Sequence, residues 1–210
     1  MDIRIEQKSL SNQAYNKIKM LILDESLKPG EKIIQEKVAE QLGISKIPLI
    51  QALHVLQNER LIEYYPRKGF FVREISTKEF FDLLEVRGSM ETLAVERIIE
   101  KLDKAIVQKL INFKNDFISA FEKKDVKKYL ELNKQFHYYM IETAGNSYLI
   151  DINNTFNILL LSYTKEFRTD ISLSIEYYKN IIDSIIERDV EKASNMVVEH
   201  LEKVKEGFRK

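Results

Sequence analysis

The chain has 210 residues, enough for one large domain or two small ones, and its 44% hydrophobic content can fill a core. Lys+Arg and Asp+Glu number 33 each, so no overall basic charge marks a nucleic-acid partner; cysteine is absent, which excludes disulfide frameworks, thiolate metal sites and a thiol nucleophile. The first residues, MDIRIEQKSLSNQ, carry no secretory apolar run, and no stretch approaches the ~20 apolar residues of a membrane helix. The sequence therefore predicts a soluble, cytoplasmic protein without a membrane partner.

Pro29, Pro48 and Pro66 all fall in the first third of the chain, and only Gly88, Gly145 and Gly207 interrupt the remainder. This predicts a domain of short elements over 1–75 and an all-helical one over 76–210. Ser76, Thr77 and Glu79 supply a helix-start signal of the capping-box kind at the boundary. Residues 1–75 hold 12 Lys+Arg against 10 Asp+Glu, leaving 21 against 23 beyond, so the charge asymmetry is small and the pattern must decide.

In chain order, Ala14, Tyr15, Ile18, Leu21 and Ile22 recur at helical spacing, and Pro29-Gly30 makes a turn. A short helix follows with Val38, Ala39 and Leu42 on one face, and Gly43 suits the left-handed residue that ends it. Ser45 is placed to cap a third helix, whose first turn tolerates Pro48 and whose buried stripe is Leu49, Ala52, Leu53 and Leu56. IEYY and FFVREI are β-prone runs around Pro66-Arg67-Lys68-Gly69, a hairpin with a basic tip. Six helices are expected beyond, near 78–101, 104–123, 126–144, 148–168, 173–188 and 190–208. The fold class is mainly α: a winged helix-turn-helix domain with a small β-hairpin wing, followed by an all-α helical bundle.

An α-helix fits the major groove of double-stranded DNA, and its first turns meet base edges. Here those turns present Ser45, Lys46, Ile47, Ile50, Gln51 and His54 away from the leucine stripe. Ser45 and Lys46 suit phosphate, Gln51 a base edge, and Arg67 and Lys68 on the wing tip the backbone or minor groove. The competing reading is a protein-interaction or ligand-binding module that has lost specific DNA reading.

The run LKPGEKIIQEKVAEQLGISKIPLIQALHVLQNERLIEYYPRKGFFV resembles the DNA-binding domain of the GntR regulators. Pro29-Gly30, Val38-Ala39, Leu42-Gly43-Ile44-Ser45, Pro48, Ala52-Leu53 and Pro66-Arg67-Lys68-Gly69 carry it. One recognition helix reads too few bases for specificity, so a homodimer on a palindromic operator is expected. Where the family commonly has two arginines and a glutamate in the recognition helix, this chain has Lys46, Ile50 and Gln51, and Arg60 stands where a glycine usually precedes the wing. Isoleucine cannot grip guanine as arginine does, but Ile47 and Ile50 can pack on thymine methyl groups, so a different operator is expected.

In the helical part, Arg87 interrupts the stripe Phe80–Leu84–Met90–Ala94–Ile98, with Glu91 four residues on. Asn133 and His137 lie on the stripe Leu130–Phe136–Met140–Ala144, Tyr178 on Ile175–Ile181–Ile182–Ile185, and His200 on Ala193–Val197–Leu201–Val204–Phe208. Five inward polar residues, Arg87, Asn133, His137, Tyr178 and His200, predict either an effector cavity or an internal network. In that network Arg87 pairs with Glu91, and the histidines bond Tyr178 and Asn133. This part resembles the FCD ligand-binding domain of the FadR-type branch, in its shorter VanR-like form. The match lies in Glu85-Val86-Arg87, Met90-Glu91, Ala94, Phe136-His137, Ala144-Gly145-Asn146, Arg188-Asp189, Ala193 and His200-Leu201. Arg87, the one inward cation whose charge does not depend on pH near neutrality, is the expected anchor of a small organic-acid effector. The resemblance implies a divalent-metal position at Asn133, His137, Tyr178 and His200, of which only His137 and His200 keep good ligands, so no cofactor is expected. Nothing points to an enzyme: His137 and His200 have no nucleophile or oxyanion arrangement around them, and phosphate-binding glycine loops are missing.

Overall fold

The computed structural model describes residues 10–24, 26–164 and 171–208, with side chains for all of these but 156–164, 171 and 172. The chain divides into two units, Met1–Ile75 and Ser76–Lys210.

The first unit runs α1 (Leu10–Leu23), β1 (Lys32–Ile33), α2 (Gln35–Leu42), α3 (Lys46–Asn58), β2 (Ile62–Tyr65) and β3 (Gly69–Val72). Apolar residues spaced by four put Ala14, Ile18 and Ile22 on one buried stripe of α1, which packs on Leu49, Ala52, Leu53 and Leu56 of α3. Tyr15 and Lys19 fasten the same two helices by donating to Glu59 at 2.6 and 3.0 Å. Gly43, at φ +65°, ends α2 and lets the Ile44 N–H reach the Ala39 carbonyl at 3.1 Å, which sets the turn into α3. Ser45 occupies the N-cap position of α3, but its side chain makes no capping hydrogen bond, contrary to the expected role.

The sheet is antiparallel in the order β1-β3-β2, with Tyr65 opposite Gly69, Ile62 opposite Val72 and Ile33 opposite Phe70. The wing is the expected hairpin. The expected strand FFVREI stops at Val72, because β2 begins opposite it at Ile62 and β1 supplies only two residues. Strand β1 was not legible at all: two residues cannot show alternation. Arg60, just before β2, has φ +59°, the left-handed conformation that a glycine adopts freely.

The second unit is a bundle of α4 (Thr77–Glu100), α5 (Lys104–Glu122), α6 (Val126–Ala144), α7 (Ser147–Thr164), α8 (Ile171–Ile186) and α9 (Val190–Phe208). The starts follow from caps: Ser76, Asp103, Asp125 and Asp189 accept from the N–H groups of Glu79, Ile106, Lys128 and Lys192. The expected helix end at 168 lies outside the described residues, and α8 begins two residues earlier than its expected start at 173. Helix α4 packs on α6 and α9, and α5 on α6 and α8. A side chain at Gly88 would meet Leu201 at 3.1 Å, so the absence of a Cβ there sets how closely α9 approaches α4. Arg188, from the loop between α8 and α9, donates to the carbonyls of Ile99 and Leu102 at 2.9 Å each and so closes the C-terminus of α4. No described helix is long and apolar enough to cross a membrane.

Candidate functional site

The exposed face of α3 is one candidate. Because Leu49, Ala52, Leu53 and Leu56 are buried, the 3.6-residue period turns Lys46, Ile47, Gln51 and His54 to solvent and leaves Ile50 half-buried between. Ile47 is 71% exposed. Ser45, Arg67 and Lys68 are exposed too, with Arg67 at the wing tip at φ +63°. His54 leans toward the wing, its ring edge-on to Phe70 at 5.6 Å and Nδ1 3.3 Å from Gln57 Oε1. One feature escaped the sequence reading: Lys46 donates to Glu36 of α2 at 2.7 Å, holding that carboxyl below its ordinary range. A phosphate at Lys46 must compete with this pair.

The second candidate lies inside the bundle, where all five predicted polar residues occur on buried helix faces. Arg87 Nε donates to Glu91 Oε1 at 2.5 Å, and His137 Nδ1 lies 2.9 Å from the same oxygen. On the other side of its ring, His137 Nε2 lies 3.1 Å from the Tyr178 hydroxyl, which also accepts from Asn133 Nδ2 at 2.6 Å. Packing fixes that hydroxyl: Phe117 stacks on the Tyr178 ring at 4.7 Å, and Phe136 meets it edge-on at 5.4 Å. His200 touches Tyr178 and Tyr177 through its ring, with centroids 4.8 and 5.6 Å apart, and among the described residues its nitrogens have no hydrogen-bond partner. The internal network is therefore formed by four of the five, and His200 stands outside it.

The charges are set by burial. Burial opposes the Glu91 charge, but Arg87 and His137 beside it outweigh burial and hold its carboxyl well below the usual carboxylate range. Burial pushes His137 down, and Arg87 adds to this against the pull of Glu91. His200 is pushed down to about 3, chiefly by burial, with His137 and Arg87 in support. Burial, then the neighbouring Tyr129, raises the Tyr178 phenol well above its ordinary value. At neutral pH the site holds one cation, one anion and three neutral rings. A neutral phenol that accepts from Asn133 has its own proton to give to His137 Nε2, which leaves the histidine proton on Nδ1 facing Glu91.

Two buried nitrogens have no acceptor, Arg87 Nη2 and Asn153 Nδ2, whereas His137 Nδ1 has the Glu91 carboxylate beside it. Each such group costs about 1–3 kcal/mol, a large fraction of a domain's stability of about 5–15 kcal/mol. The sequence reading missed Asn153, although it stands four residues after Leu149, a core residue of α7.

The donor set does not fit a divalent metal. Asn133 is uncharged, the Tyr178 phenol is held protonated, and the Nε2 lone pair of His137 is taken by that phenol. Among the described residues, no three His, Asp or Glu side chains come together as a metal requires.

Residues 82–203 match the family of FCD domains, and residues 10–72 match the bacterial regulatory proteins of the gntR family. The chain is similar to the HTH-type transcriptional regulator YdhC of Bacillus subtilis, itself uncharacterised: 26% identical over 197 residues, covering 90% of this chain and 86% of that one. It is 26% identical over 183 residues to the Nta operon transcriptional regulator of Aminobacter aminovorans, covering 84% and 83%. Its fold matches the solved structure of McbR/YncC from E. coli with a TM-score of 0.75, over 92% of this chain and 94% of that one, at 24% identity. The chain belongs to the GntR family of transcriptional regulators, not of enzymes, and joins that family's DNA-binding helix-turn-helix to an effector-binding FCD domain.

Proposed function

We propose that the protein binds a two-fold symmetric operator as a homodimer, in the cytoplasm, and responds to a small carboxylate bound among α4, α6, α8 and α9. The carboxylate reading is carried by Arg87. Its Nη2 is buried without an acceptor while Nε is bonded to Glu91, so half of the guanidinium fork is left for a second anion. The effector residues are Arg87, Asn133, His137, Tyr178 and His200, with Arg87 as anchor and the others shaping a neutral polar wall. The dimer follows from the reading head: one α3 meets too few base pairs for specificity, and a two-fold pair doubles them. Ser45, Lys46, Arg67 and Lys68 hold phosphates, while Ile47, Ile50, Gln51 and His54 face the bases.

Selection of random DNA fragments by the purified protein tests the operator; a symmetric consensus is expected, and a featureless pool refutes it. Arg87→Lys, which keeps the charge beside Glu91 but loses the fork, is expected to abolish the effector response and leave bare DNA binding unchanged. A variant that still responds refutes the carboxylate reading.

A further inference from the structure

Helix α7 brings a second donor to the level of Arg87. Met90 and Ala94 of α4, Ile141 and Ala144 of α6, and Leu149 of α7 form one buried cluster near the turn between α6 and α7. Helices α4 and α6 run in the same direction: Lys101 donates to the Ala144 carbonyl at 3.0 Å, and Glu91 lies 2.9 Å from His137. One turn away from the cluster, α4 therefore presents Arg87, three residues before Met90, and α6 presents His137, four before Ile141. Helix α7 runs back from its turn at Gly145, so one turn beyond Leu149 on the same face stands Asn153. Asn153 is 5% exposed, and its Nδ2 has no acceptor. The unpaired nitrogens of Arg87 and Asn153 thus sit on helices packed together, each about one helical turn from the same apolar cluster.

We propose that Asn153 is a specificity-determining residue, whose amide nitrogen donates to a second oxygen on the effector held by Arg87. The ligand class is a small carboxylate that carries another acceptor, a hydroxyl, oxo or second carboxylate group, within a few atoms of the first. A monofunctional acid satisfies Arg87 and leaves Asn153 unpaired; a bifunctional one satisfies both. The inference rests on the carboxylate reading of Arg87. It adds a wall, α7, that the five sequence-predicted residues do not include.

A structural asparagine and a ligand-reading one respond oppositely to Asn153→Leu, a near-isosteric change. If the amide waits for a ligand, removing an unpaired buried donor raises the melting temperature of the free protein. If the amide supports the fold, the change lowers it. The probes are acetate, glycolate and malonate at equal millimolar concentration, read by thermal shift and calorimetry. Glycolate and malonate are expected to bind wild type about five- to tenfold more tightly than acetate, the worth of one hydrogen bond. In Asn153→Leu all three should fall to the acetate affinity, and in Arg87→Lys all three should weaken together. A lowered melting temperature in free Asn153→Leu, a preference that survives it, or a wild type without preference overturns the role of Asn153. Binding that is insensitive to Arg87→Lys, or none of the three acids binding wild type, overturns the carboxylate reading and the inference with it.

Discussion

The Tyr178 hydroxyl stands 3.1 Å from His137 Nε2, the lone pair that a metal ion would otherwise take. A phenol oxygen thus occupies the meeting point of Asn133 and His137 and links them without an ion. Chelator is expected to leave the melting temperature of wild type unchanged. Asn133→Asp with Tyr178→His should create a site, seen as a melting temperature that rises only with added zinc or manganese. At a hundredfold excess over Kd the gain is about 2.7 kcal/mol. Tyr178→Phe should cost about 1–3 kcal/mol, because the buried His137 Nε2 and the half-buried Asn133 Nδ2 lose their partner. Stoichiometric metal retained by wild type after dialysis against chelator would contradict this.

Acid should destabilise the sensor unit in two stages. His200 takes a proton in the unfolded chain near the ordinary value of 6.5, but in the folded protein only at about 3. Between those values the unfolded state binds more protons, so stability falls as pH drops, by about 1.4 kcal/mol for each pH unit. His137, also pushed down by burial, acts in the same direction. Glu91 adds its loss lower, as pH falls below the usual carboxylate range toward its depressed folded value. Denaturation midpoints from pH 7 to pH 4 should fall steadily for wild type and less steeply for His200→Gln; parallel curves would show that His200 is not buried neutral.

Arg60 holds φ +59° with a side chain that gains nothing obvious from it. Arg60→Gly should relieve the strain and lose part of that gain to greater freedom of the unfolded chain, for a net rise of about 0.5 kcal/mol. Urea unfolding with an unchanged m-value measures it. Arg60→Val should be worse than either, as a β-branched residue in that conformation.

On the DNA face, opposite changes to one ion pair should have opposite effects. Lys46→Ala with Arg67→Ala should reduce the slope of log affinity against log salt by about 2, one phosphate contact each. Glu36→Gln should strengthen binding to every sequence, because it removes a negative charge and frees Lys46. Ile50→Arg should alter the selected operator rather than the fold. Equal affinity of wild type and Glu36→Gln at low salt would show that Lys46 does not reach the phosphates.

Much of this was legible in the sequence because long helices write a period that survives substitution. His137, Tyr178 and His200 could be placed inside because each falls on an apolar stripe repeating at helical spacing. Leu130 was misplaced by that logic: it is half-buried, and Tyr129 and Leu132 fill the core instead. Lys205 was missed because a charged residue reads as surface, yet it is buried between Glu85 and Glu202 at 3.2 and 2.7 Å. Asn153 escaped because α7 is apolar on most sides, which leaves no stripe to interrupt. The partnership of Lys46 with Glu36 joins two helices, and local pattern carries no signal for a contact ten residues apart.

The hold of Arg188 on Ile99 and Leu102 also orders events on the ribosome. When residue 100 is made, α4 is complete in sequence, yet its last carbonyls lack these donors until about ninety residues later, and the seat at Gly88 is filled only when Leu201 emerges. The head, by contrast, closes its own contacts within its first 75 residues. Short-range closure is fast and long-range closure slow. The nascent chain can therefore present a folded DNA-reading head while its sensor is still open. Any effector that needs Arg87 in place must wait for α9.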